Sequence, residues 1–450
     1  MTQALTRYPK YAAHFQALES REEASNQTWL RQLREQAWSR FAELGLPTAR
    51  RGNEKWKYTD IRPIANAAFE YPLDLDPDAG VRPAELKGIA PWQDGWANLV
   101  FVDGCYSSAL STAAANGVSQ GSLADAISVN GDVVEKHLAQ HASFEDDGFT
   151  ALNTAFIQDG AFIHIPDGQP APAVVNLIFV TTGREQPRVT YPRALVVAGR
   201  NTELSLVETY ISLTEERFFT NAVTEIVLED GAKVEHYRLS LENTGAFHVG
   251  VSRVYQGRDS SFTSASFAKG AALGRNDFQV LLDGPGASCT LNGLYFTTDT
   301  QHMDNFINID HAKPYGSSRL YYKGILDGHS KAVFGGTVVV RKDAQKTDAQ
   351  QTDKNLLLSD DAEVDSKPSL LIYADDVKCG HGATAGHIDE NTLFYMRSRG
   401  LDLETASRIL IHAFASEIIN TVPLEPLREY LDRLFTQAIP TSRLRLGGAS

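Results

Sequence analysis

The stretch Glu203-Leu-Ser-Leu-Val-Glu-Thr-Tyr210 decides the fold, because it is one instance of a pattern that returns. It joins Leu177-Ile-Phe-Val180, Ala194-Leu-Val-Val197 and Thr224-Glu-Ile-Val-Leu228 as short, β-branched runs separated by Gly or Asp turns, the signature of strands. A turn containing Gly or Asp followed by alternating residues recurs and aligns Leu204 with Val234, Phe262 and Cys289, at steps of 30, 28 and 27 residues. Such steps lie in the range of stacked repeats, and no long helical pattern interrupts them. A β-solenoid fits, since each coil stacks on the next and buries a continuous inner stripe. A β-sandwich fits the strand lengths nearly as well.

Both flanks have a helical period. Leu30, Leu33, Ala37, Phe41 and Leu44 give Thr28–Leu44 one apolar face, with Thr28 as the expected N-cap and Gly45 and Pro47 as stops. More helix is expected before Thr28. From Asn53 to about Asp146 the pattern is mixed, with Pro turns at Tyr71–Pro77 and a strand at Ala97–Val102. Beyond His387, Ala406, Ile409, Leu410, Ala413 and Phe414 fall on one helical face, with Asp402 and Glu404 at its start. Pro423 and Pro426 break the pattern, and Leu427, Tyr430, Leu431, Leu434 and Phe435 begin another helix. Thr441–Ser450 reads as a tail. The expected division is a mixed helical region over 1–150, a β core over 151–386 and a helical domain over 387–450.

At 450 residues, 42% of them hydrophobic, the chain can bury a sizeable core, so disorder is not the default. A net charge of −14 argues against a nucleic-acid partner, because phosphate contacts need clustered Lys and Arg. Three cysteines, Cys105, Cys289 and Cys379, make no disulfide framework and suit a reducing cytoplasm. The first residues carry no apolar signal region, and the longest apolar stretch, around Ala171 to Val180, is too short to cross a bilayer. The expectation is a cytoplasmic protein with no membrane partner.

The chemically loaded segment is Tyr373-Ala-Asp-Asp-Val-Lys-Cys-Gly-His-Gly-Ala-Thr-Ala-Gly386. Cys379 stands two residues before His381, and Gly380, Gly382 and Gly386 leave the backbone free to adopt positive φ in a turn that aims both donors at one point. A thiolate and an imidazole suit zinc or iron, or nucleophile activation. The pair supplies half of a four-coordinate site, so other donors must come from elsewhere in the fold or from another chain. Cys289 is expected inside the repeat as a small hydrophobe and Cys105 in a turn. His387 is expected to hydrogen-bond at the surface, and His311, Lys323, Gln345 and Asp348 to satisfy backbone groups. No G-x-x-x-x-G-K-[ST] run occurs, so the chain has no P-loop of its own.

The words around the pair, Asp375-Asp-Val-Lys-Cys-Gly-His-Gly-Ala-Thr-Ala-Gly-His-Ile-Asp389 and Leu393-Phe-Tyr-Met-Arg-Ser-Arg-Gly400, closely resemble the carboxy-terminal signature of the SufB/SufD family. Asn53-Glu-Lys-Trp-Lys-Tyr-Thr-Asp60 resembles the family's amino-terminal Trp-Lys-Tyr-Thr motif. His311–Lys323, Asp343-Ala-Gln-Lys-Thr-Asp-Ala-Gln350 and Asn355-Leu-Leu-Leu-Ser359 match the end of its core. The Trp-Lys-Tyr-Thr element, the Asp343–Gln350 run and the lack of a multi-cysteine amino-terminal segment place the resemblance on the SufD side.

The resemblance implies a right-handed parallel β-helix core flanked by amino- and carboxy-terminal helical regions. It implies an iron–sulfur cluster assembly scaffold formed with SufB and driven by the SufC ATPase, which docks on the carboxy-terminal helices. Cys379 and His381 would then be ligands of a transient iron–sulfur cluster shared with SufB. The resemblance further implies FAD binding by the assembled complex, which no motif here supports directly, and a homodimer is one state open to the isolated chain. Two enzyme readings compete: a β-helix enzyme acting on acidic polysaccharide, and a cysteine hydrolase with Cys379 activated by His381.

Overall fold

The computed structural model describes residues 8–22, 27–50, 52–73, 80–112, 118–170, 174–183 and 187–440. Part of the Tyr71–Pro77 turn, the start of the Ala171–Val180 stretch and the whole Thr441–Ser450 tail lie outside them. The alternating runs form two ten-stranded sheets that face one another. One holds Val175–Thr181, Glu203–Ser212, Lys233–Ser240, Ser261–Lys269, Ser288–Thr297, Ser317–Leu326, Asp348–Leu357 and Lys378–Gly386. The other runs from Arg193–Ala198 through Phe219–Leu228 and Phe247–Gln256 to Lys331–Val340 and Glu363–Ile372. Each strand pairs in parallel with its counterpart one coil away. This is the β-solenoid; the sandwich, which is antiparallel, is excluded because every coil strand pairs in parallel with the strand one coil away.

The repeat visible in the sequence is a literal ladder. Leu204, Val234, Phe262 and Cys289 are successive Cα partners, and the same row continues through Ser318 and Ala349 to Cys379. Residues two apart on each strand share the inner face, so this row packs with Leu206, Leu291, Ile226, Phe278 and Ile307 in one elongated core. Cys289 is buried there, and burial pushes its thiol well up. The coil corners carry the positive-φ residues, among them Gly231, Gly286 and Gly328.

One end of the solenoid is covered. The strand Ala97–Val102 adds to the first sheet and is itself capped by the antiparallel strand Cys105–Thr112, while Ser119–Ser122 pairs antiparallel on the second sheet. The helices Pro9–Glu22 and Thr28–Leu44 bring Phe15 and Trp38 into stacked contact, centroids 4.8 Å apart, over Phe156. Thr28 begins its helix rather than capping it, since Gln27 holds the cap position without a side-chain bond. Gly45 ends the helix at φ 65°.

Lys55, Trp56 and Thr59 fasten the Trp-Lys-Tyr-Thr segment to the outer face of the second sheet, while Lys57 and Tyr58 stay exposed. Lys55 Nζ lies 2.8 Å from Asp147 and 2.6 Å from Asp277. The Arg275 guanidinium lies 3.9 Å from the centre of the Trp56 ring, and the Thr59 hydroxyl donates to Asp304, the carboxylate that also pairs with Arg275.

The carboxy-terminal helices Leu403–Ile419 and Glu425–Ala438 lie against the outer face of the first sheet. Here the expected face is displaced. Ile411, Ala415 and Ile418, with Leu427, Leu431 and Phe435, pack on Tyr237, Leu239, Phe267 and Leu294, whereas Ile409 is 45% exposed. Two apolar stripes share the helix Leu403–Ile419, and the sheet selects the one carrying Ile411. Lys323 fixes this contact: its ammonium donates to the Phe414 carbonyl at 2.8 Å and pairs with Glu417 at 2.7 Å.

Phe278 and Cys289 test the continuity of the inner core. Phe278→Ala is expected to cost about 3–5 kcal/mol in urea unfolding. Cys289→Ser should cost about 1–3 kcal/mol, because it buries a hydroxyl among apolar neighbours. Wild-type stability in both variants would contradict a packed interior.

Candidate functional site

Cys379 and His381 lie on the strand Lys378–Gly386, the last of the first sheet. The expected glycine-rich turn is therefore a strand. Gly380, Gly382 and Gly386 are absent from the positive-φ residues, because parallel pairing to Asp348–Leu357 holds this segment extended. The same pairing brings the two donors together, since residues i and i+2 of a strand share a face. Cys379 stands on Ala349 and His381 on Gln351.

Cys379 is half-buried against the inner core, and burial raises its thiol pKa, outweighing the Ala349 backbone hydrogen bond. No hydrogen bond joins Cys379 to His381 among the described residues, and burial favours the neutral thiol, so the pair is not arranged as an activated nucleophile and its base. His381 is exposed. Among the described residues no three His, Cys, Asp or Glu side chains converge into a metal cage, so this chain offers two donors at its end.

The other residues singled out from the sequence stand apart from this pair. His387 Nδ1 lies 3.0 Å from the Leu357 carbonyl. His311 is buried on Ser318 at 2.9 Å, and burial pushes it down to about 4. Gln345 bridges Lys342 and Asp376, and Asp348 pairs with Arg319. Cys105 begins a strand just after the Asp103–Gly104 turn, and burial followed by Asp159 and Asp103 pushes its thiol up to about 11.

This end of the solenoid is open. Glu363–Ile372 and Lys378–Gly386 are the terminal strands of their sheets and are largely exposed. Leu371, Ile372 and Tyr373 are exposed beside them, as are Phe394 and Tyr395 on the adjoining helix Glu390–Ser398. Unpaired strand edges with apolar side chains are templates for another chain.

Sequence reasoning missed the polar residues one coil inside the pair. Gln351, Asp353 and Asn355 alternate along Asp348–Leu357 where an apolar inner row is expected, and that alternation was the available signal. Asp353 is fully buried, with Ser366 Oγ at 2.6 Å and Asn355 Nδ2 at 2.8 Å, both donating to the same oxygen. Its Oδ1 has no partner, and neither has Gln351 Oε1. Burial raises the Asp353 carboxyl to about 6, against the pull of the Ser366 and Asn355 bonds. Glu208 shows the contrast: burial would raise it, but His236 at 2.9 Å and Arg238 hold it at about 2.

With this geometry in hand, the molecule is a parallel β-solenoid, closed at one end, whose open end presents a thiol–imidazole pair. The SufBD core domain of SUF-system iron–sulfur cluster assembly matches residues 179–414, and the SufBD amino-terminal region matches 6–177. The chain is 32% identical to the iron–sulfur cluster assembly protein SufD of Escherichia coli, over 88% of this chain and 90% of that one. It is 32% identical to the chloroplastic protein ABCI7 of Arabidopsis thaliana, over 86% and 82%. A SufBD family protein of Synechocystis is 30% identical over 86% of each. The chain belongs to the SufBD family of iron–sulfur cluster assembly proteins, on its SufD side. That membership is consistent with a non-catalytic assembly role and gives no support to the polysaccharide-enzyme or cysteine-hydrolase readings.

Asp353 yields a stability test with a defined sign. Its folded pKa lies above the unfolded value of about 3.9, so the native state binds the extra proton and loses stability as pH rises from about 4 to about 6. Asp353→Asn removes that loss. The variant should match wild type near pH 4 and exceed it by up to about 3 kcal/mol above pH 6. Urea unfolding at pH 4.5 and 7.5 checks this, and a variant weaker than wild type at pH 7.5 would contradict it.

Proposed function

We propose that this chain is a SufD-type subunit that joins a SufB-type partner to form the scaffold on which nascent iron–sulfur clusters assemble, with a SufC-type ATPase driving the rearrangement. The observation that carries the reading is the open solenoid end, where unpaired strand edges and exposed apolar side chains surround Cys379 and His381. A partner strand added to either edge would satisfy its backbone groups and bring further donors to the pair. A sulfur and an imidazole suit iron–sulfur ligation, and the half-complete donor set accounts for a cluster shared between two chains.

The carboxy-terminal region 387–450 supplies the surface for the ATPase subunit. Its inner stripe is committed to the solenoid, which leaves the outer stripe around Ile409 for docking. The family resemblance extends the proposal to FAD bound by the assembled complex, although no nucleotide-binding glycine turn in this sequence supports it directly. The sparse, unpaired cysteines favour a reducing compartment such as the cytoplasm.

In the complex, Cys379→Ser and His381→Ala should each lower iron and acid-labile sulfide about tenfold while melting temperature stays within a few degrees, because His381 is exposed and Cys379 is only half-buried on the terminal strand. Normal cluster content in both variants would overturn the assignment. Ile409→Glu should weaken capture of the ATPase subunit with little effect on stability, and the purified chain alone should turn over no ATP. Full retention of the ATPase subunit by Ile409→Glu would move the docking surface elsewhere.

A further inference from the structure

We propose that Asp353 is the positioning residue for His381, the buried acceptor that takes one imidazole N–H while the other ring nitrogen faces the metal. This rests on the reading of His381 as an iron ligand and deepens it.

Placement comes first. His381 stands in register on Gln351, and Asp353 is the next inner residue along the same strand. Asp353 stands in register on Ala383, diagonal to His381, and His381 is exposed; with adjacent strands about 4.8 Å apart and alternate residues about 6.6 Å along a strand, the imidazole reaches Asp353 only by turning inward over Gln351. His381 makes no hydrogen bond within the described residues, so its ring is free to turn. The row awaits a donor: Gln351 Oε1 and Asp353 Oδ1 are both buried and unpartnered, while Gln351 Nε2 is fixed to the Gly336 carbonyl at 3.1 Å.

Asp353 is also unlike the other buried carboxylates. Glu225 is neutralised by Arg193 and three backbone N–H groups, Glu242 faces His248 at 2.7 Å, and Asp277 lies between Lys55 and Arg253. Asp304 pairs with Arg275 and Asp103 with Arg188. Asp353 has only two neutral donors, on one oxygen. A bare carboxylate in the interior costs stability and persists where function uses it. A carboxylate behind a metal-bound histidine fixes its tautomer and strengthens its donation to the metal.

The test uses the complex with the SufB-type partner, reduced and anaerobic, with cobalt(II) as the probe in place of iron(II). The site signal is the part of the visible cobalt spectrum that His381→Ala removes. Asp353→Asn should weaken cobalt binding at that site by about 10–100-fold while its melting temperature holds or rises. Adding Asp353→Asn to His381→Ala should change cobalt binding no further, because Asp353 acts through His381. Asp353→Asn with wild-type cobalt affinity overturns the proposal and leaves the cluster reading intact. A loss of affinity accompanied by a lower melting temperature also overturns it, since that marks a structural role. If His381→Ala leaves the cobalt spectrum unchanged, the ligand reading fails and this proposal fails with it.

Discussion

Parallel backbone pairing from coil to coil is the constraint on which the rest of the structure depends. Each coil fixes the next in register, so one inner row runs unbroken from Leu204 to Cys379. The same pairing makes the ends costly, because a terminal coil has donors and acceptors with no neighbour. At the first end, antiparallel strands and helices absorb that cost. At the last end nothing in the described chain does, and the thiol–imidazole pair sits there.

Charge is handled differently on the two sides of the wall. Outside the second sheet, Lys55, Arg253, Arg275, Asp147, Asp277 and Asp304 form a compensated cluster that fastens the amino-terminal segment to the solenoid. Breaking one member would strand the others in a low dielectric, which gives the Trp-Lys-Tyr-Thr motif a structural purpose. Inside, Glu208 is compensated by His236 and Arg238, whereas Asp353 is not. The uncompensated carboxylate lies one coil inside the strand that carries Cys379 and His381.

The repeat was legible because inner residues must alternate and coils must be nearly equal in length, and both constraints leave marks in the residue types. The two-residue spacing of Cys379 and His381 is plain in the sequence, but there it suggests a turn; only the strand shows that the two share a face as residues i and i+2. Its glycines misled, since they suit a turn as well as an edge strand, and local composition carries no information about pairing. The carboxy-terminal helix misled in the same way, because its sequence holds two apolar stripes and only contact with the first sheet chooses between them.

The sequence by itself determined the period, the strand content, the family and the pair of candidate ligands, all of which are local patterns or spacings. Tertiary structure alone decided that the pair lies on an unpaired edge, that Ile411 is buried while Ile409 is exposed, and that Asp353 has no counter-charge. Those facts depend on which distant segments arrive opposite each residue. Cys379 meets Ala349, and His381 meets Gln351, only because the coils stack with a register that no single coil encodes.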